Sequence, residues 1–359
     1  MKHIDETKRR NLEALAVWHE EKYREPELRN LFFELTSRCN EKCLHCGSRC
    51  GDVGADELPA DVFKRVLDEV KRDFSPRLPM ICITGGEPLL HRDFFEILSY
   101  AHILGFRWGM TTNGTLITKD IARRLAGAGM GTVSVSLDGL REQNDRLRQT
   151  PGGFDRALEG IKNLIEENAF RHVQVTTVVH RKNIGDLPGL FRLLDGIDID
   201  SWRVINMEPI GRALQYPELM LDKEDYKNLF GFIRAMRKNG YPVCYGCSHW
   251  LGEELEGETR DWYFLCNAGI YTASVMANGD VGACLDIERR PETIQGSVLT
   301  ERFTDIWNNR FRLFRRDFSE LNPTCAACPD RRFCTGDSRH TWDYDKNEPM
   351  LCFRGILFD

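Results

Sequence analysis

Between Leu31 and Lys238, short apolar segments alternate six times with amphipathic ones. This regularity limits the fold more than any other feature of the chain. Leu31–Thr36, Met80–Thr84, Trp108–Thr112, Thr132–Leu137, His172–Val179 and Trp202–Asn206 read as strands. Helices are predicted over Pro59–Arg72, Asp93–Leu104, Thr118–Ala128, Gly153–Glu166, Leu187–Leu194 and Asp222–Lys238. In the first of these, Val62, Phe63, Val66, Leu67 and Val70 recur at helical spacing. Thr118 is a suitable N-cap for the third. Strands alternating with helices build right-handed βαβ units and a parallel sheet, so the chain is of the α/β class. Six units suit an open doubly wound sheet or an incomplete barrel, and alternation alone leaves that choice open.

A charged helix is expected over residues 5–25, ahead of this region. Past about residue 240 the alternation stops and Cys, Gly, Trp and Asp become frequent. There Asn278-Gly279 lies between Ala273–Met276 and Asp280–Ala283, the pattern of a hairpin turn. Phe303–Phe314 has the spacing of a short amphipathic helix. The expected division is therefore 1–30, a helical extension; 31–239, the repeating α/β unit; and 240–359, a cysteine-rich unit that needs metal to hold its fold.

The formal charge of −6 argues against nucleic acid or another polyanion as partner. The first 30 residues are too charged for a secretory signal, and no apolar run approaches membrane length, so a cytoplasmic location with no membrane partner is expected. In that compartment thiols stay reduced, and the 13 cysteines point to metal instead of disulfides. Only Cys82 stands apart from the other cysteines, inside an apparent core strand, and it reads as a small buried hydrophobe.

Leu35–Gly47 reads LTSRCNEKCLHCG, with Cys39, Cys43 and Cys46 spaced C-x3-C-x2-C in the loop after the first strand. Loops at the C-terminal ends of parallel strands carry active sites. Three thiolates hold three irons of a cubane and leave the fourth iron open. A zinc loop completed by Cys50 or His45 is the competing reading. Strand two ends in Gly85-Gly86-Glu87-Pro88, where two glycines allow close backbone approach.

CNEKCLHC and GGEP together resemble the radical S-adenosylmethionine (SAM) superfamily. The resemblance implies an incomplete (β/α)6 TIM-like barrel. It also implies a 4Fe–4S cluster whose open iron chelates SAM, and reductive cleavage of SAM to a 5′-deoxyadenosyl radical. Cys39, Cys43 and Cys46 would be the catalytic ligands. SAM would contact Gly85, Gly86, Glu87 and Pro88, Asn113 of the TNG turn and Ser136 of SVSLDG. Arg148 of RLRQTPGGF and Asn206 of NMEPIGRA would complete that set.

The tail resembles the SPASM domain, whose cysteines hold auxiliary iron–sulfur clusters. Cys266, Gly279 and Cys284 follow its first half, and Cys325, Cys328, Cys334 and Cys352 its second. The pattern departs at Ser338, where that family has a cysteine. The resemblance thus implies one or two auxiliary clusters: one on Cys325, Cys328, Cys334 and Cys352, the other on Cys266 and Cys284 with Cys244 or Cys247 as replacements. It further implies hydrogen abstraction from a peptide or small protein, with reduced flavodoxin or ferredoxin as electron donor. Oxidation of a small molecule such as a carbohydrate is the alternative, and a non-enzymatic electron carrier a more distant one. In sulfatase-activating relatives an aspartate directly follows the equivalent of Cys284. Here Asp286 stands one residue late and reads as a solvated hairpin residue.

Overall fold

A computed structural model describes residues 6–51 and 57–357. Its centre is a parallel sheet of β1 (Asn30–Glu34), β2 (Met80–Thr84), β3 (Trp108–Thr112), β4 (Met130–Ser136), β5 (His172–Val179) and β6 (Ser201–Asn206). Helices α1 (Glu6–Arg24), α2 (Ala60–Phe74), α3 (Phe94–Ile103) and α4 (Lys119–Gly127) belong to the first half. Helices α5 (Arg141–Arg148), α6 (Gly153–Glu167), α7 (Leu187–Asp195) and α8 (Lys223–Lys238) belong to the second. Asp5, the expected first residue of α1, lies outside the described residues.

The sequence pattern explains the layers. In α2 the buried stripe is Phe63, Val66, Leu67 and Val70. Thr118 caps α4 by accepting from the Ile121 N–H, and Asp222 opens α8 with a capping box. The strands bury Phe33, Ile81, Val133, Val175 and Val204. Parallel strands covered on both faces are usually apolar throughout. Here Thr84, Ser134 and Thr176 interrupt that rule, and all three line one polar cavity.

The sheet does not end at the expected boundary near residue 239. Its order is β10-β9-β8-β1-β2-β3-β4-β5-β6-β7. Here β7 (Val243–Tyr245), β8 (Thr272–Val275), β9 (Asp280–Gly282) and β10 (Gly296–Ser297) all come from the tail. Strand β7 pairs parallel with β6, and β8 parallel with β1. β8 and β9 form the antiparallel hairpin signalled by Asn278-Gly279. An apolar cluster continues from Leu12 in α1 through the barrel to Phe353. Helix α9 (Phe303–Asn309) is shorter than the expected segment and packs on α2 through the Phe303 N–H, which donates to Glu69. Among the described residues, no helix is long and apolar enough to cross a membrane.

Candidate active site

The barrel loops that the SAM resemblance singled out open onto one cavity of about 340 Å³ at the C-terminal ends of the parallel strands. Cys39, Cys43 and Cys46 line it together with Gly85, Gly86, Asn113, Ser136, Arg148 and Asn206. Glu87 and Pro88 do not line it. The buried Glu87 carboxylate accepts instead from the Thr112 hydroxyl and the Asn113 N–H, each at 2.9 Å, and so ties the GGEP turn to the TNG turn.

Close packing fixes the cysteine loop. A Cβ on Gly86 would collide with the Arg38 carbonyl oxygen, and one on Gly211 with the carbonyls of Cys46 and Gly47. Both positions therefore need glycine for contact within the protein. Beside Gly211, the Arg212 guanidinium donates to the carbonyls of Cys43 at 2.6 Å and Cys50 at 2.8 Å. Its N–H donates to the Cys46 carbonyl at 2.9 Å. Arg212 thus holds the loop from three sides, a role no local pattern announced. On the opposite flank the Leu44 N–H donates to the Leu147 carbonyl at 2.8 Å.

The electrostatics are those of a dry site. Arg148 is buried between Glu41 and Asp138, each 2.7 Å away. His45 Nε2 lies 3.6 Å from Asp138, and burial lowers its pKa to about 4, so the ring stays neutral at pH 7. Burial pushes the Cys39 thiol up to about 11 and Cys43 higher still, while Cys46, accepting a hydrogen bond from Cys50, is lowered to about 6. Such thiols lose their protons when a metal takes the proton's place. Glu41 Oε1, His45 Nδ1 and Arg148 Nε are buried without a hydrogen-bond partner. All three residues are on the cavity wall, which fits a polar cofactor there.

In the tail, Cys325, Cys328, Cys334 and Cys352 surround one small cavity of about 40 Å³. Burial, with the charges of Cys352 and Cys328, raises Cys325 to about 11. Four thiols at one point suit a cluster. The other set is less concentrated. Burial raises the Cys284 thiol, with the charges of Asp286 and Cys266 adding to it. Cys247 lies against the Asn206 carbonyl, while Cys244 is under the charges of Arg203 and Arg237. The Ser338 hydroxyl, at the cysteine's place, donates to the Ser248 carbonyl.

Asp286 keeps the exposure expected of it but opens onto the cavity wall beside Gly47. The surrounding protein and the charge of Glu208 raise its carboxyl, against the pull of His340. Its position was illegible because the β8–β1 pairing, which brings the hairpin to the barrel, joins segments about 240 residues apart.

A partial barrel with three cysteines and a glycine turn around one cavity at its strand ends defines a radical SAM enzyme. The radical SAM superfamily model matches residues 33–194, and an iron–sulfur cluster-binding SPASM model matches residues 266–329. An AdoMet-dependent heme synthase of Methanosarcina barkeri is 31% identical over 349 residues, covering 91% of this chain and 97% of the relative. A mycofactocin maturase of Mycolicibacterium smegmatis is 31% identical over 315 residues, covering 85% and 76%. The solved structure of anSMEcpe with bound AdoMet superposes with a TM-score of 0.73 at 20% identity, covering 92% of this chain and 94% of the other. Streptococcus suis SuiB bound to the precursor peptide SuiA gives 0.70 at 21%, covering 90% and 74%. The chain belongs to the radical SAM superfamily, in its SPASM-domain branch. Its cofactors are SAM, a 4Fe–4S cluster and auxiliary iron–sulfur clusters.

Proposed function

We propose that this enzyme modifies a peptide or small protein by a two-electron oxidation that begins at one of its carbons. Asp286 carries the reading: a carboxylate with a raised pKa on the wall of the cavity that the three cysteines share. When bound, the cofactors supply a 5′-deoxyadenosyl radical and take up the electron that the substrate radical gives up. The chain does the rest. Cys39, Cys43 and Cys46 hold the cluster, with Arg212 fixing their loop. The backbone at Gly85 and Gly86, with Ser136, Asn113 and Asn206, binds SAM. Cys325, Cys328, Cys334 and Cys352 hold an auxiliary cluster. Asp286 accepts the proton from the heteroatom next to the radical carbon, so the substrate loses one hydrogen atom, one electron and one proton. A carboxylate held above its ordinary pKa at the cavity wall suits that transfer. The likeness to a mycofactocin maturase supports a maturation substrate. Reduced flavodoxin or ferredoxin is the donor class, and the cytoplasm the location.

The near end-to-end match to a heme synthase favours a second reading, oxidation of a small molecule. One assay separates them. The anaerobically reconstituted enzyme, with dithionite and SAM, is expected to release 5′-deoxyadenosine, and Cys43→Ala to release none. Cysteine-containing and leader-bearing peptides should stimulate release in the wild type. Asp286→Asn should keep 5′-deoxyadenosine formation while losing at least tenfold in oxidised product. Stimulation by an iron porphyrin or a sugar, with no response to peptides, would replace the peptide reading with the second.

A further inference from the structure

Three side chains that the radical chemistry leaves unused meet beside the cavity. Glu208 follows β6, His249 follows β7 and His340 lies in the tail, two residues beyond Ser338. His249 Nε2 is 2.6 Å from Glu208 Oε1, and His340 Nε2 is 2.7 Å from Glu208 Oε2. One donor atom from each residue falls within 4.8 Å of the others. His249 is fully buried, while Glu208 and His340 keep 13% and 12% exposure, and Glu208 lines the cavity.

The surroundings orient this set. His249 Nδ1 bonds Asp337 Oδ2 at 2.8 Å, and the other Asp337 oxygen accepts from the Trp250 N–H at 2.9 Å. Asp337 therefore turns the second ring nitrogen of His249 toward Glu208. A carboxylate behind a histidine, which faces the metal with its other nitrogen, is the usual support of a metal-bound imidazole. Two imidazoles and one carboxylate, with the remaining positions open to a cavity, suit Fe(II) or Zn(II).

We propose that Glu208, His249 and His340 bind a single divalent transition-metal ion, Fe(II) or Zn(II), that faces the SAM cavity and is separate from every iron–sulfur cluster. The site adjoins the position where the SPASM pattern loses its cysteine: the Ser338 hydroxyl donates to the carbonyl of Ser248, the residue before His249. The open positions of the ion would take an oxygen or sulfur donor of the substrate. Asp337 is a positioning residue.

Counting tests this. Cubane clusters contain iron and inorganic sulfide in equal number, so metal in excess of sulfide counts the new site. Cluster-loaded enzyme is equilibrated anaerobically with Fe(II) or Zn(II), desalted, and assayed for metal and acid-labile sulfide. The wild type is expected to hold one ion per chain beyond its sulfide. Glu208→Gln and His340→Gln should lose that ion with sulfide unchanged, which also shows that these variants are folded. Asp337→Asn should weaken Zn(II) binding about 10- to 100-fold in competition with a chelator. A wild type whose metal equals its sulfide overturns the proposal, whatever the variants do. Variants that keep the excess ion overturn it too. So do variants that lose sulfide in step with iron, since the residues would then belong to a cluster.

Discussion

The Arg148 guanidinium stands between Glu41, over a hundred positions away in the chain, and Asp138, with side-chain exposures of 6% or less for all three. Removing one partner of a buried set leaves charges without compensation. Arg148→Met is therefore expected to destabilise the protein by about 3–5 kcal/mol. Anaerobic denaturant unfolding measures this, and a loss under about 1 kcal/mol would mean the pair contributes no more than a surface bridge. At this scale the spacing of the cysteines was readable because it is local, and the fold gathers Cys39, Cys43 and Cys46 at one cavity and Cys325, Cys328, Cys334 and Cys352 at another. Arg148 was legible only through its resemblance, which implied contact with SAM; its partners Glu41 and Asp138 come together only in the fold. Arg212, His249 and Glu208 carry no local signature for the same reason.

Helix α1 shows what an element can add. Leu12, Ala16 and His19 form its buried face. Arg332 bonds Glu13 at 2.9 Å and Glu20 at 2.8 Å, and the Trp18 ring stacks on Tyr271 at 5.3 Å. Burial, helped by the charge of Arg339, lowers His19 from 6.5 to about 3. The unfolded chain thus binds this proton more tightly than the folded one. Stability from neutral His19 is complete above pH 6.5 and is lost as pH falls toward 3. Each pH unit in that window costs up to about 1.4 kcal/mol. Between pH 7 and 5.5 the protein should lose about 1 kcal/mol, read from tryptophan fluorescence in urea. His19→Leu should flatten the slope, and equal slopes in both proteins would assign the effect to other groups. The main strands and helices were readable because their apolar periods run unbroken. Helix α5 was not, since only Leu147 in Arg141–Arg148 is apolar.

For the whole molecule, the least legible feature was that strands from beyond residue 239 pair onto both edges of the barrel sheet. Composition changes there, yet edge pairing is non-local and leaves no mark in either segment. Strand β1 lies between β2 and β8, and its buried Glu34 accepts from Arg289 at 2.5 Å and from the Ala277 N–H at 3.0 Å. A fragment ending at residue 240 would leave the edges of β1 and β6 unpaired and Glu34 without these partners. It is expected to be insoluble or to fail to retain a cluster. A soluble fragment with cluster absorbance would show that the barrel stands alone. The β1–β8 pairing also sets a clock. About 240 residues separate Asn30 from Thr272, and at 5–20 residues per second a ribosome needs roughly 10–50 s to deliver the second strand after the first. Throughout that interval the nascent chain shows iron-carrier proteins a cysteine loop resting on a half-supported strand. A fully paired strand beneath the cysteine loop therefore exists only after β8 has been made, about 240 residues later.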